Sequence, residues 1–427
     1  MRLQKWRDDS QASDGRAATV GRITVIDRRS LMRSGAMLAA FGAASTLSSR
    51  FAFAADTVTL PFDNGERPLV KYPQKRPMIG LTSRPPQLET PFSVFNESVI
   101  TPNDAFFVRY HLADLPLDID AATFSVEVKG KVDKPLKLSM ADLRKMPSVE
   151  IVAVNQCSGN SRGFSEPRVA GGQLANGAMG NARWRGVPLK AVLDKAGVQQ
   201  GAKQVTFNGM DNPVSDKTPD FVKALDVDHA RDGEVMLAYA MNGRDLPVLN
   251  GFPLRLVVPG YYGTYWIKHL NEITVIDNTF DGFWMKSAYR IPDTDCACIE
   301  PGTAPKATIP INRFNVRSFV TNLSNGAKVR AGRPTLVKGI AFDGGKGIKQ
   351  VGVSIDGGKT WVEAKLGKDL GKYSFRQWWL PVTLAAGAHD IKVRATNQAG
   401  QTQPATAQWN PPGYMRNVIE TTSVTAA

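Results

Sequence analysis

The sequence predicts an α+β domain followed by an all-β sandwich, and three observations carry that prediction. From about residue 91 to 300, short runs with strand alternation are mixed with runs at helical spacing. Near residue 300 the cluster Pro301-Gly302-Thr303-Ala304-Pro305 reads as a linker. From 306 to 420 strand follows strand with regular turns, the pattern of an immunoglobulin-like sandwich.

The elements follow in chain order. Residues 1–54 read as a twin-arginine export signal: Arg28-Arg29 precede a modest apolar stretch from Ala36 to Ala44, and Ala52-Phe53-Ala54 offers a cleavage site. That route carries folded proteins, so it fits a chain loaded with an organic cofactor before export and a periplasmic location. Residues 55–90, rich in proline and charge, are expected to wrap the surface as an extended arm. Phe124 to Val128 alternates as a half-buried strand. Leu189, Val192, Leu193 and Ala196 repeat at helical spacing, and Gly197 supplies the stop. Leu254 to Val258 reads as a buried strand ended by Pro259-Gly260. In the second domain Val351, Val353 and Ile355 alternate, Asp356-Gly357-Gly358 turns the chain, and Trp361-Val362 begin the return. Ile391, Val393 and Ala395 alternate again.

Composition narrows the function classes. With 427 residues and 42% hydrophobic content the chain can build two or three cores. No run of about 18 apolar residues is present, so an integral membrane protein is not expected. The net charge of +14 steers anions, and no nucleic-acid motif or aromatic-basic platform accompanies it. The four histidines show no zinc-like pairing, and the absence of Cys-x-x-Cys-His argues against a covalent c-type haem in this chain. Three cysteines do not make a disulfide framework; Cys296 and Cys298, one residue apart, would bridge with strain or stay free.

Cys157 stands in Asn155-Gln156-Cys157-Ser158-Gly159-Asn160-Ser161-Arg162. A cation close by favours the thiolate, the form that ligates metals and attacks electrophiles, and the Ser-Gly-Asn turn can fold Arg162 back toward the sulfur. An inert buried cysteine, a nucleophile and a single-thiolate metal ligand all remain open on these residues alone.

The flanking segments add a family. Ile100-Thr101-Pro102-Asn103-Asp104-Ala105-Phe106-Phe107-Val108-Arg109-Tyr110-His111 precedes Cys157, and Gly251-Phe252-Pro253-Leu254-Arg255 and Trp266-Ile267-Lys268-His269 follow it. Together, from about residue 90 to 420, they resemble the sulfite oxidase family of molybdopterin enzymes, most closely its bacterial cytochrome-linked sulfite dehydrogenases. The resemblance implies a sulfite-oxidase-type molybdopterin domain over 91–300 and one molybdenum–molybdopterin per chain. Cys157 would then be a molybdenum ligand. Arg109, Tyr110, His111, Asp211, Asn250, Arg255, Trp266, Ile267 and Lys268 would hold the cofactor. Arg109, Arg162 and Tyr289 would act on substrate. Arg376 is a further candidate at the substrate entrance. Two positions depart from the pattern: Asn250 stands where vertebrate members usually have histidine, and Leu174 where they have a pocket tryptophan. The implied reaction is oxidation of sulfite to sulfate, with electrons leaving to a c-type cytochrome, free or bound as a haem subunit. Other readings are a sulfane-sulfur dehydrogenase subunit, a sulfoxide reductase, a cysteine-nucleophile hydrolase and a non-catalytic exported binding protein.

Overall fold

The computed structural model describes residues 56–427. The twin-arginine segment, residues 1–54, lies outside the described residues. The proline-rich arm is strand rather than a loose wrap. Thr57–Thr59, Glu66–Val70, Met78–Ser83, Pro86–Glu89 and Val108–Arg109 form an antiparallel sheet in chain order. Met78 and Leu88 are buried in one apolar cluster and Leu60 and Ile79 in another, and Pro86 opens its strand, a position where no ladder N–H is needed. The final strand brings Arg109 beside Gln87.

Two further sheets build the first domain. One runs Lys223–Asp226, Gln204–Gly209, Leu270–Ile276, Ser125–Gly130 and Leu136–Ser139. The other runs Arg244–Asp245, Met236–Met241, Met179–Pro188 and Val149–Gln156, with Arg255–Val257 also paired to Met236–Met241. The predicted strands at 124–128 and 254–258 are thus present as Ser125–Gly130 and Arg255–Val257. Helices are few and short. The longest among the described residues, Leu189–Ala196, buries the four predicted apolar residues and stops at Gly197, whose φ of +73° is costly for any other residue. Met140–Lys145 carries a capping box between Ser139 and Asp142. Among the described residues no helix is long and apolar enough to cross a membrane.

The C-terminal region is two sheets sharing one core. Arg317–Val320, Pro334–Phe342, Arg376–Thr383 and Lys365–Leu366 make the first; Ala327–Val329, Glu420–Ala426, Gly387–Asn397, Ile348–Ser354 and Val362–Glu363 the second. The expected hairpin pairs Val353 with Val362. Val337, Val351, Trp378, Ile391 and Val393 fill the space between the sheets, each contributing about 1.5–3 kcal/mol by leaving water. This region also closes onto the first domain. Phe319 meets Phe92 at 5.6 Å and Phe375 meets Phe95 at 5.8 Å, both edge to face. Phe342 and Phe375 are buried in the core of the first domain.

Candidate active site

The polar motifs sit just beyond strand ends, and the sheets bring those ends together. Cys157 follows the strand Val149–Gln156, Asp211 follows Gln204–Gly209, Arg255 opens its own strand, and Lys268 precedes Leu270–Ile276. They meet in a cleft that also takes in Arg109, His111, Asn250, Trp266, Ile267 and Tyr289. Of the residues singled out from sequence, Tyr110 and Arg162 do not line it. Tyr110 is fully buried, with its hydroxyl 2.7 Å from His269 Nε2. Arg162 donates from Nε to the Pro412 carbonyl (3.0 Å) and lies 5.1 Å over the Tyr414 ring. Leu174 is a core residue, and Arg376 pairs with Asp369 at 2.9 Å away from the cleft.

Cys157 is held by its backbone: its N–H donates to the Ala178 carbonyl (2.9 Å), and its carbonyl accepts from Asn160 N–H (3.0 Å). The thiol is free and buried. The loop beyond passes through Ser161 in the left-handed region (φ +72°). Three contacts from the C-terminal domain brace it there: Arg317 Nη1 to Ser161 Oγ (2.9 Å), Met415 N–H to the Ser158 carbonyl (3.1 Å), and the Arg162–Pro412 bond. Cys296 and Cys298 are joined as a disulfide.

The cleft is cationic. Arg109, Arg255 and Lys268 face it, and Asp211 is the single carboxylate among its lining residues. Burial, with Arg255 beside it, pulls the Lys268 ammonium down to about 7. Burial likewise lowers Arg255 to about 10 and raises Asp211. Cations held at such cost mark a place where an anion is expected. Lys268 Nζ donates to the Arg109 carbonyl (2.8 Å) and stands 4.1 Å over the Tyr110 ring.

One wall of the cleft is aromatic. His111 stacks on Phe221 with ring centres 3.7 Å apart and hydrogen-bonds through Nε2 to the Tyr289 hydroxyl. Burial, reinforced by Arg109, Lys268 and Lys223, holds His111 well below the usual histidine range, so the ring is neutral. Burial raises Tyr289 in turn, so its phenol keeps its proton. Tyr289 has φ +58°, a strained value for a tyrosine. Tyr414 stacks parallel on it at 5.2 Å, and Lys223 Nζ lies 5.3 Å from its ring.

The donor set fits an organic, anionic, metal-carrying group. Both amide atoms of Asn155, Ser158 Oγ, Thr264 Oγ1 and Arg255 Nε are buried without a partner, and all four residues line the cleft. Buried polar atoms are rarely left unpaired, so these point to a ligand rich in hydrogen-bonding groups. Gly263 lets the Asn155 amide lie against the backbone there: a Cβ would stand 2.4 Å from Asn155 Oδ1. Among the described residues no three His, Cys, Asp or Glu side chains gather to hold a metal. A metal at Cys157 therefore needs most of its ligands from elsewhere, as an organic dithiolene supplies them.

Several of these residues escape sequence reasoning. Asn155 and Ser158 flank Cys157, and a polar run ending a buried strand is a usable signal for them. Tyr414 and Lys223 give no such signal.

Residues 112–284 match the oxidoreductase molybdopterin binding domain and residues 308–426 the Mo-co oxidoreductase dimerisation domain. The chain is 30% identical to Arabidopsis thaliana sulfite oxidase over 389 residues, 85% of this chain and 96% of that one. It is 34% identical to human mitochondrial sulfite oxidase over 369 residues, 82% of this chain and 66% of that protein. It thus spans about two thirds of the mammalian relatives' length. The crystal structure of the sulfane dehydrogenase SoxCD from Paracoccus pantotrophus has the same fold, with a TM-score of 0.69 at 23% identity over 91% of this chain and 96% of that one. On the two domain matches and these identities, the chain belongs to the sulfite oxidase family of molybdopterin oxidoreductases.

Proposed function

We propose that this protein oxidises sulfite to sulfate in the periplasm, using one molybdenum–molybdopterin per chain and passing electrons to a separate c-type cytochrome. The observation that carries the reading is the cationic cleft over a single buried cysteine. Cys157 would be the protein's ligand to the metal. Asn155, Ser158, Thr264, Asp211 and Arg255, with the backbone of Trp266 and Ile267, would hold the pterin and its phosphate. When bound, the molybdenum centre supplies oxygen-atom transfer and accepts two electrons.

The chain's own residues do the rest. Sulfite is a small oxyanion with a charge near minus two, which suits the fixed donors of a guanidinium; Arg109 offers them from the cleft wall. Lys268 adds positive charge and, through its bond to the Arg109 carbonyl, fixes the segment that carries Arg109. Neutral His111 holds the Tyr289 hydroxyl in place. Because burial keeps that phenol protonated, it can donate to an oxyanion at neutral pH. Arg162 stands behind Tyr414 and acts on the anion through its field rather than by contact.

The test is metal analysis of the purified protein with a sulfite-dependent cytochrome c reduction assay. Molybdenum near one per chain and sulfite turnover are expected, and a folded Cys157→Ser variant should lose both. Full turnover in that variant sinks the assignment. A molybdenum-loaded enzyme inert toward sulfite but active on protein-bound sulfane sulfur replaces the substrate and keeps the centre.

A further inference from the structure

The N-terminal sheet lends the cleft a side chain that does not line it. Lys75, between the strands Glu66–Val70 and Met78–Ser83, is 4% exposed. Its Nζ donates to the Asn103 carbonyl (2.7 Å), the Phe106 carbonyl (2.9 Å) and Asn250 Oδ1 (2.6 Å). An ammonium has three donors and no acceptor, so these three bonds satisfy it completely. No carboxylate takes part, and a buried cation held only by neutral oxygens is rare unless the arrangement is over-determined.

The acceptors belong to two segments that build the cleft. Asn103 and Phe106 lead directly into Phe107, Arg109 and His111. Asn250 ends the turn Val248–Asn250 and accepts from Arg255 Nη1 through its carbonyl (3.0 Å). Its Nδ2 donates to the Phe107 carbonyl (3.0 Å). The Asn250 amide is therefore used on both sides within the protein, and what it contributes to the cleft passes through Phe107 and Arg255.

We propose that Lys75 and Asn250 form a buried clamp that sets the spacing between the Arg109–His111 segment and Arg255, making Lys75 a positioning residue for the bound molybdopterin. The clamp rests on the cofactor reading of the cleft and is independent of the substrate. A purely structural lysine would support the fold as a whole. A clamp acts on cofactor retention first, because a displacement well under an ångström across a phosphate-binding cradle costs contacts while leaving the distant sandwich core untouched.

The test compares full-length Lys75→Met with the wild type, both purified as holoenzyme. Molybdenum and pterin per chain are measured at isolation. Their release at a fixed temperature below melting is then followed, with the far-ultraviolet unfolding transition of the same samples. Release at least about tenfold faster, with unfolding shifted by only a few degrees, is the expected result. Release that accelerates only as far as unfolding itself is shifted, or that keeps the wild-type rate, overturns the proposal. Should Lys75→Met fail to accumulate, Asn250→Ala removes the cleft-side acceptor together with the Nδ2 bond to the Phe107 carbonyl, the two halves of the clamp on that side, and leaves Lys75 its two carbonyls; wild-type retention there is equally fatal. A wild type carrying neither molybdenum nor pterin removes the cofactor reading and the clamp with it. Failure to oxidise sulfite touches neither measurement.

Discussion

Tyr289→Phe isolates one hydroxyl in a fully described environment. The ring stays stacked on Tyr414 at 5.2 Å and near Lys223, so packing is conserved. Phenylalanine bears the same backbone strain at φ +58°, so that cost cancels between the two proteins. What changes is the bond to His111 Nε2. Losing the bond alone costs about 0.5–1.5 kcal/mol, and leaving a buried ring nitrogen unpaired raises this to about 1–3 kcal/mol. The variant should therefore fold, load molybdenum, and unfold with a stability lower by about that amount. If the hydroxyl only anchors His111, the loss ends there. If it also donates to the oxyanion, catalytic efficiency falls further, by roughly tenfold to a hundredfold, because about 1.4–2.8 kcal/mol of charge-assisted contact is removed. Stopped-flow measurement divides the defect between reduction of the enzyme by sulfite and its reoxidation by cytochrome c. Wild-type rates in both half-reactions, in a protein destabilised as expected, would strike Tyr289 from the chemistry and leave it as a support for His111.

Three other outcomes follow from single features. Gly263→Ala places a methyl 2.4 Å from Asn155 Oδ1, an overpacking worth about 1–3 kcal/mol; molybdenum and pterin content should fall, and unchanged content would remove Asn155 from the cradle. His269 is buried with Nδ1 facing the Phe252 carbonyl, and burial lowers it to about 3. Between that value and its ordinary 6.5 the unfolded chain binds a proton the folded one does not, so stability is lost as pH falls through this window. The loss is about 2 kcal/mol from pH 7 to pH 5, and His269→Asn should flatten the slope of urea-unfolding stability against pH there. Replacing Arg28 and Arg29 by lysine should hold a folded, loaded protein in the cytoplasm; normal appearance in a periplasmic fraction would end the twin-arginine reading.

What could be read from the sequence were the residues whose positions follow from local pattern. Arg255 lies in a strand that the run Leu254 to Val258 locates, Cys157 stands out by its own polar segment, and Asp211 and Lys268 were placed by the resemblance to the family. The helix Leu189–Ala196 and the hairpin at 356–358 were legible from local pattern, as Arg255 was. The arm was not, because prolines interrupt the alternation that strands at 57–89 would otherwise show. Lys75 was hidden for a different cause: a lysine in a proline-rich segment looks solvated, and only tertiary closure surrounds it with carbonyls. Arg162 sits next to the ligand loop in sequence, but its guanidinium turns toward Pro412 and Tyr414, partners about 250 residues away. No period or spacing encodes that choice.

That turn of Arg162 bears on what the second domain does for the first. Ser161 holds a left-handed backbone conformation that a non-glycine residue adopts at a cost, in the loop that presents Cys157. Residues 172–178 of the first domain hold one side of that loop, with Ser161 Oγ donating to Asn176 Oδ1 (2.6 Å), and three braces come from beyond residue 310: Arg317 on Ser161, Met415 on Ser158, Pro412 on Arg162. Arg317 is itself fully buried and paired with Glu420 at 2.6 Å, so the brace is anchored inside the C-terminal domain rather than on its surface. Tyr414, from the same segment, forms the outer face of the Tyr289 stack. A chain ending at the linker would lose these contacts from the C-terminal domain together and leave the Cys157 loop held by its bonds to residues 172–178 alone. The sandwich is in this sense part of the frame of the cleft, because the strained ligand loop of the first domain is held from both domains at once.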